Sequence, residues 1–220
     1  MRTVREIYEK YQVPPWLQLH QVRVAAVGKM VCDALQEDIN TDLVVRACLV
    51  HDIGAIVKFD FTYQTHETLQ NLCQPEDIPH WIEVQVRMRE KYGMKEYTAT
   101  EAIIRELGLE RVRLIFEQMG ISHMARVLET GDREAQVAQY GDMRVGPYGV
   151  VLIQERVADV TKRYAEHWKR KGEGEHSRGY PREADELEKA IFRNARIHPD
   201  DINDASAAPV IEKLWDYVVA

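Results

Sequence analysis

The feature that most constrains this chain is the dipeptide His51–Asp52, set inside an apolar helical run that reads VVRACLVHDIGAIV. An imidazole and a carboxylate side by side at the end of a core-facing helix cost desolvation energy unless something neutralises them. A divalent cation would do so. Two further residues are candidates to complete such a site: His20, in WLQLHQVRVAAVGKMV, and Asp142, in QYGDMRVGPYGVV. A fold that uses all four must bring three separate segments to one point.

Successive helical residues lie about 100° apart, so His51 and Asp52 can meet one ion only near a helix end or a local bend. Gly54 supplies the means, because glycine weakens a helix and lets backbones approach closely. Taken singly, the other two have plainer readings. His20, near Leu17, Val24, Val27 and Val31, reads as a core histidine bonded to a carbonyl. Asp142, after Gly141 and before a Pro147–Gly149 turn, reads as a cap or a surface carboxylate.

With 220 residues the chain can bury one sizeable core. A formal net charge of −7 argues against a broad nucleic-acid surface, while leaving room for a local basic pocket that takes a phosphate. Cys32, Cys48 and Cys73 are odd in number and lack CxxC spacing, so neither a zinc knuckle nor a disulfide framework is expected. Cys32 and Cys48 sit in apolar runs, as small hydrophobes do. This usage fits a reduced, cytoplasmic protein. The start, MRTVREIYEKYQV, carries no apolar signal region, and no stretch reaches transmembrane length, so no membrane partner is expected.

Helical periodicity runs almost throughout, with no Asn-Gly or Asp-Gly hairpin, and predicts an all-α domain of many short-to-medium helices. They are expected near 3–12, 15–36, 41–58, 66–72, 76–92, 97–108, 110–119, 122–130, 132–140, 149–170, 182–196 and 206–218. Thr41, Thr65, Ser122 and Asp132 can cap the helices that follow them. Pro14, Pro15 and Pro75 suit first turns, and Gly93, Gly108, Gly120 and Gly131 sit where helices should stop. The polar, glycine-rich stretch 169–181, KRKGEGEHSRGYP, reads as an exposed connection. It divides a main domain, 1–170, from a C-terminal part, 171–220. The closing APVIEKLWDYVVA spaces Val210, Ile211, Leu214, Trp215 and Val218 as one helical face, for packing on the domain or for a homodimer contact.

LHQVRVAAVG, then LVHDIGA, then YGDMR and ERVADVTKRY, in that order over about residues 14–165, resemble the HD-domain superfamily of metal-dependent phosphohydrolases, in its HDIG form. The resemblance implies an HD-type helical bundle in which His20, His51, Asp52 and Asp142 hold one divalent metal. Two imidazoles and two carboxylates suit Mn²⁺, Fe²⁺, Co²⁺, Ni²⁺ or Zn²⁺ better than a pure Mg²⁺ cage, with Mg²⁺ left open. Four protein ligands on an octahedral ion leave one position for a water of lowered pKa and one for a phosphoryl oxygen. The implied activity is hydrolysis of a nucleotide or other small phosphate ester by that water, as a phosphomonoesterase or phosphodiesterase.

The chain also departs from the pattern. Single-metal members of the superfamily often carry a glutamate three residues after the dipeptide's aspartate, where this chain has Ala55. Lys58 and Asp60 are the nearest replacements, and Asp52 and Lys58 are the candidate catalytic residues. Two-metal members carry further histidines. Here Tyr97 and Thr98 stand where one would be sought, and the spacing of His66, His80 and His123 does not match, so one metal is favoured. Arg23, one turn after His20, with Lys58 and Arg144, are the candidates to bind the substrate phosphate. Arg87, Arg89 and Lys91 read as a solvated face that could border the pocket, and Glu155, Arg156, Asp159 and Arg163 as a structural ion network. Trp16, Trp81 and Trp168 read as core or interface anchors, with base stacking by one of them as the alternative. The missing acid at 55 also motivates a non-catalytic nucleotide-binding or regulatory module. A metal-dependent oxygenase on the same fold would need a second iron.

Overall fold

A computed structural model describes residues 1–61, 73–171 and 180–220, with side chains for all of these but 166–171. Among the described residues the chain is all-helical and has no β-strand. The helices are α1 (Val4–Lys10), α2 (Pro15–Ala34), α3 (Thr41–Val50), α4 (Ile78–Tyr92), α5 (Glu96–Glu106), α6 (Glu110–Phe116), α7 (Met124–Thr130), α8 (Arg133–Met143), α9 (Ile153–Lys171), α10 (Tyr180–Phe192) and α11 (Asp204–Leu214). Short 3₁₀ turns cover Ala55–Lys58, Pro75–Asp77, Ile121–His123 and Pro199–Asp201. The helix expected at 66–72, its cap Thr65, and His66 lie outside the described residues. So does 172–179, most of the expected polar connection; 169–171 end α9, and 180–181 begin α10.

Several boundaries move for identifiable reasons. Asn40, not Thr41, caps α3, accepting from the Leu43 N–H at 3.0 Å. Ser122 caps nothing, because Ile121–His123 form a 3₁₀ turn ahead of α7. Asp132 does cap α8, its Oδ1 accepting from the Ala135 N–H at 3.0 Å. Helix α8 runs on to Met143, so Asp142 belongs to its last turn instead of the loop beyond. Gly131, at φ +67°, ends α7 in the left-handed conformation that a side chain would disfavour.

Helices α2, α3 and α8 pack against one another as a central triangle. Each is buried on more than one face: Val22, Val24, Ala25, Ala26, Val27 and Val31 of α2, Val44, Val45, Ala47, Cys48, Leu49 and Val50 of α3, and Ala135, Val137, Ala138 and Tyr140 of α8 are all fully buried. Small residues set how near the helices come. A Cβ built on Gly28 of α2 would sit 3.3 Å from the Cys48 Sγ and Val44 Cγ1 of α3. One built on Gly141 of α8 would sit 2.9 Å from the backbone oxygen of Val24 in α2. The residue before Asp142 is therefore the point where α8 touches the α2 backbone.

The C-terminal part closes on this core. Helix α11 packs on α2, and α10 on α7, α8 and α9. The chain ends meet in backbone hydrogen bonds, Val4 N–H to Tyr217 O and Val219 N–H to Arg2 O, both at 2.9 Å. Tyr8 stands edge-on to Trp215 at 6.4 Å.

Substituting Gly141 by Ala should destabilise the protein by about 1–3 kcal/mol, because the added methyl meets backbone that cannot swing away. Gly28→Ala should be close to neutral, since its neighbours are side chains and the helix gains about 0.5–1 kcal/mol in propensity. Urea unfolding of the two variants checks this; equal midpoints would mean that α8 does not approach α2 as described.

Candidate metal centre

The site begins where α3 ends. An uninterrupted helix over 41–58 is expected from periodicity, yet α3 stops at Val50 and a 3₁₀ turn follows at Ala55–Lys58. Tertiary bonds replace the helical ladder. The Asp52 N–H donates to Gln21 Oε1 of α2 at 3.1 Å, and the Gly54 N–H to Thr100 Oγ1 of α5 at 3.1 Å. Among the last carbonyls of α3, Leu49 O accepts from the Tyr8 hydroxyl at 2.7 Å and Cys48 O from His51 Nδ1 at 2.8 Å. Gly54 is obligatory: a Cβ there would lie 2.5 Å from the Thr100 nitrogen. The bend lets successive residues His51 and Asp52 face one point.

At that point three helices converge. His20 Nε2 lies 3.4 Å from Asp142 Oδ1 and 3.8 Å from Asp52 Oδ2. His51 Nε2 lies 3.5 Å from Asp142 Oδ1 and 3.8 Å from Asp52 Oδ2. Among the described residues, His20, His51 and Asp52 form the one group whose ligand atoms all lie within 4.8 Å of one another, close enough to share an ion. Asp142 adds a second carboxylate against the same two imidazoles.

The electrostatics follow from the atoms. A carbonyl only accepts, so His51 Nδ1 carries a hydrogen and Nε2 presents its lone pair to the carboxylates. That Nε2 is buried and has no hydrogen-bond partner. Acceptors facing acceptors need a proton or a cation between them. Burial lowers the affinity of His51 for a proton, but Asp52 and Asp142 outweigh burial and raise its pKa to about 9. His20 goes the other way: burial holds it below the usual imidazole value, although Asp142 opposes this. Burial would raise both carboxyls, yet the imidazoles hold Asp142 well below the ordinary range, and His51 with Lys58 lowers Asp52. A buried orphan nitrogen among two carboxylates and a second imidazole fits a divalent cation of borderline softness.

On the other side of Asp52 stands a residue that sequence reasoning missed. Glu96, the first residue of α5, accepts from Lys58 Nζ at 2.5 Å and lies near enough to Asp52 for the two carboxyls to repel. Burial raises its pKa, Lys58 pulls it down and Asp52 pushes it up, leaving it at about 7. Lys58 keeps its charge: Glu96 and Asp52 more than offset the desolvation that would remove it. No local motif marks Glu96. It reaches the site because α5 packs on the 3₁₀ turn at Gly54, while its neighbour Tyr97 stacks on Phe116 at 5.1 Å.

The three expected phosphate-binding residues divide. Lys58 lies beside Asp52, as just described. Arg23, one turn beyond His20 on α2, is partly buried and makes no hydrogen bond or ion pair among the described residues. Arg144 is a correction. It is 1 % exposed, and all five of its N–H groups are engaged: Nε with Val151 O, Nη1 with the Tyr140 hydroxyl and Pro199 O, and Nη2 with Pro199 O and Ile202 O. Two residues along a helix is about 200° of rotation, so Arg144 leaves α8 on the side away from Asp142. It ties the C-terminal part to the core and has no donor left for a phosphate.

The basic run on α4 is structural as well. Arg87 bonds Gln12, Arg89 bonds the Val57 carbonyl at 2.8 Å, and Lys91 pairs with Glu106 at 3.1 Å. Asp159 pairs with Arg156 and Arg163, the network read from the sequence, while Glu155 accepts from the Leu152 N–H. His80 lies against Trp81, and His123 belongs to a 3₁₀ turn.

The HD domain family model matches residues 18–136, a span that takes in His20, His51, Asp52 and Glu96 and ends before Asp142. Among curated proteins and among solved structures, nothing matches this chain.

Replacing Arg144 with Met should lower stability by about 3 kcal/mol or more, because it strips buried carbonyls of their donors. Chemical denaturation reads this; an unaltered midpoint would show that the guanidinium does not hold the 199–202 turn.

Proposed function

The chain belongs to the HD-domain family, and from that premise we propose that it is a metal-dependent phosphohydrolase acting on a small phosphate ester such as a nucleotide. HD domains are commonly metal-dependent hydrolases, and the His20–His51–Asp52 group could hold one ion. The observation that carries the reading is the orphaned, buried Nε2 of His51, turned into a cluster of one further imidazole and two carboxylates. His20, His51, Asp52 and Asp142 would be the ligands of a single divalent ion, Mn²⁺, Fe²⁺, Co²⁺, Ni²⁺ or Zn²⁺ by donor type. When bound, such an ion supplies Lewis acidity toward a phosphoryl oxygen and lowers the pKa of a water.

The chain's own residues would do the rest. Lys58, held protonated beside Asp52, would neutralise the phosphoryl group as a point charge. Arg23, on the His20 side of α2, would offer a two-pronged fork to the same group. Glu96 would hold a proton at the carboxyl oxygen turned away from Lys58 and pass it to the leaving oxygen. This arrangement bears on the rival reading, a binding module that turns nothing over. The motive for that reading is Ala55, and Glu96 brings a carboxyl to Asp52 from another helix.

Protein purified without chelators should carry about one transition-metal ion per chain by elemental analysis. Asp142→Ala should lose that ion and the hydrolysis of a phosphate-ester panel together while keeping its helical circular dichroism. A variant that hydrolyses at the wild-type rate would overturn the ligand assignment. Because metal and proton compete for His51 Nε2, apparent affinity should be highest above pH 9. It should fall about tenfold per pH unit below that, as competition titrations at pH 7 and 8 would read.

Glu96→Gln keeps the shape and loses the proton. It should lower kcat by about 10²–10⁴ with metal content unchanged. Full activity in this variant would remove Glu96 from the chemistry, and wild-type protein that binds metal and nucleotide but hydrolyses no ester would establish the binding-module reading.

A further inference from the structure

Helix α3 ends by giving up one particular hydrogen bond, and two side chains take up its halves. In an uninterrupted helix the Asp52 N–H would donate to the Cys48 carbonyl, four residues back. Here it donates to Gln21 Oε1 of α2 at 3.1 Å, and the Cys48 carbonyl accepts from His51 Nδ1 at 2.8 Å. Gln21 directly follows His20 in the chain. A residue beside one candidate ligand thus holds the backbone of a second, and the carbonyl freed by that bond holds the ring of a third.

Gln21 is 0 % exposed, like its α2 neighbours Val22, Val24 and Ala25. A buried amide is destabilising unless both its ends are met. Only the oxygen is engaged here: it holds the Asp52 N–H, while Nε2 is buried with no hydrogen-bond partner among the described residues. Gln136 of α8 shows the contrast, accepting from Arg133 Nη1 at 2.7 Å and donating to Val127 O at 3.2 Å. Packing alone would be better served at position 21 by an apolar chain of the same length. What the glutamine adds is an acceptor at Asp52, kept although its donor goes unmet.

We propose that Gln21 is a positioning residue for the cluster. By drawing the Asp52 N–H off the helical path it turns Asp52 toward His20, and it leaves the Cys48 carbonyl to fix the His51 ring with Nε2 facing the carboxylates. The consequence for metal rests on the reading of the cluster as a metal centre; the state of the ring can be tested apart from it. An apolar side chain at 21 returns the Asp52 N–H to its helical acceptor, Cys48 O. The imidazole then competes for that carbonyl, and Nε2 no longer keeps its free lone pair.

Two-bond nitrogen–proton correlation spectra of the metal-free protein, recorded well above the His51 pKa of about 9, read which ring nitrogen carries the hydrogen. His51→Gln identifies the signal. Wild-type protein should hold the hydrogen on Nδ1. Gln21→Met, which keeps the length and loses the acceptor, should give a mixture of Nδ1 and Nε2 forms. It should also weaken Co²⁺ binding about 10–100-fold in chelator competition, with helical circular dichroism unchanged. Gln21→Glu keeps the acceptor oxygen and adds charge that favours a cation, so it should bind Co²⁺ at least as tightly as wild type. That arm stands even where the methionine variant folds poorly. A wild-type ring protonated on Nε2, a methionine variant with unchanged ring and Co²⁺ affinity, or a glutamate variant that loses Co²⁺ would overturn the assignment. Wild-type protein with the hydrogen on Nδ1 but no Co²⁺ binding would instead count against the metal centre.

Discussion

The fold turns on the convergence of two imidazole nitrogens and two carboxylates in a place only partly open to water. Four acceptor groups that near one another repel unless positive charge stands among them. The surrounding structure holds them there regardless. Helices α2, α3 and α8 each contribute to the cluster, and each is pinned close to it: Gly141 lets α8 touch the α2 backbone, and Gly28 admits the α3 side chains. Gln21 and Thr100 take the N–H groups that α3 would otherwise have used to continue. The helix therefore ends one residue before His51, and the two residues of the dipeptide can share a target.

Much of this was legible in the chain itself, and the parts that were not have physical reasons. The helical class follows from apolar spacing, which any buried helix must obey. His51 and Asp52 were visible because charged side chains inside an apolar run are costly and stand out, whereas His20 and Asp142, which singly read as a core histidine and a cap or surface carboxylate, joined them only through the family resemblance. The end of α3 was not visible: VVRACLVHDIGAIV remains good helical sequence, and what stops it comes from side chains 31 residues upstream and 46 downstream. Arg144 misled for a related reason. Nearness to Asp142 in the chain suggests nearness in space, but on a helix two steps is the opposite face. Glu96 was invisible because its position depends on one close helix contact that leaves no local trace.

The same close contact accounts for the chain's departure at position 55. Ala55 is 1 % exposed and sits in the 3₁₀ turn beneath α5. A glutamate there would have to bury its carboxyl in the core, with α5 packed over it, instead of turning it toward Asp52. The approach of α5 that fills this space also carries Glu96 to Asp52, so one packing decision removes an acid from one segment and supplies it from another. Asp52 then has two distinct faces. One looks at the imidazoles, where a cation fits the donors. The other looks at an ammonium and a carboxyl that hold each other in place.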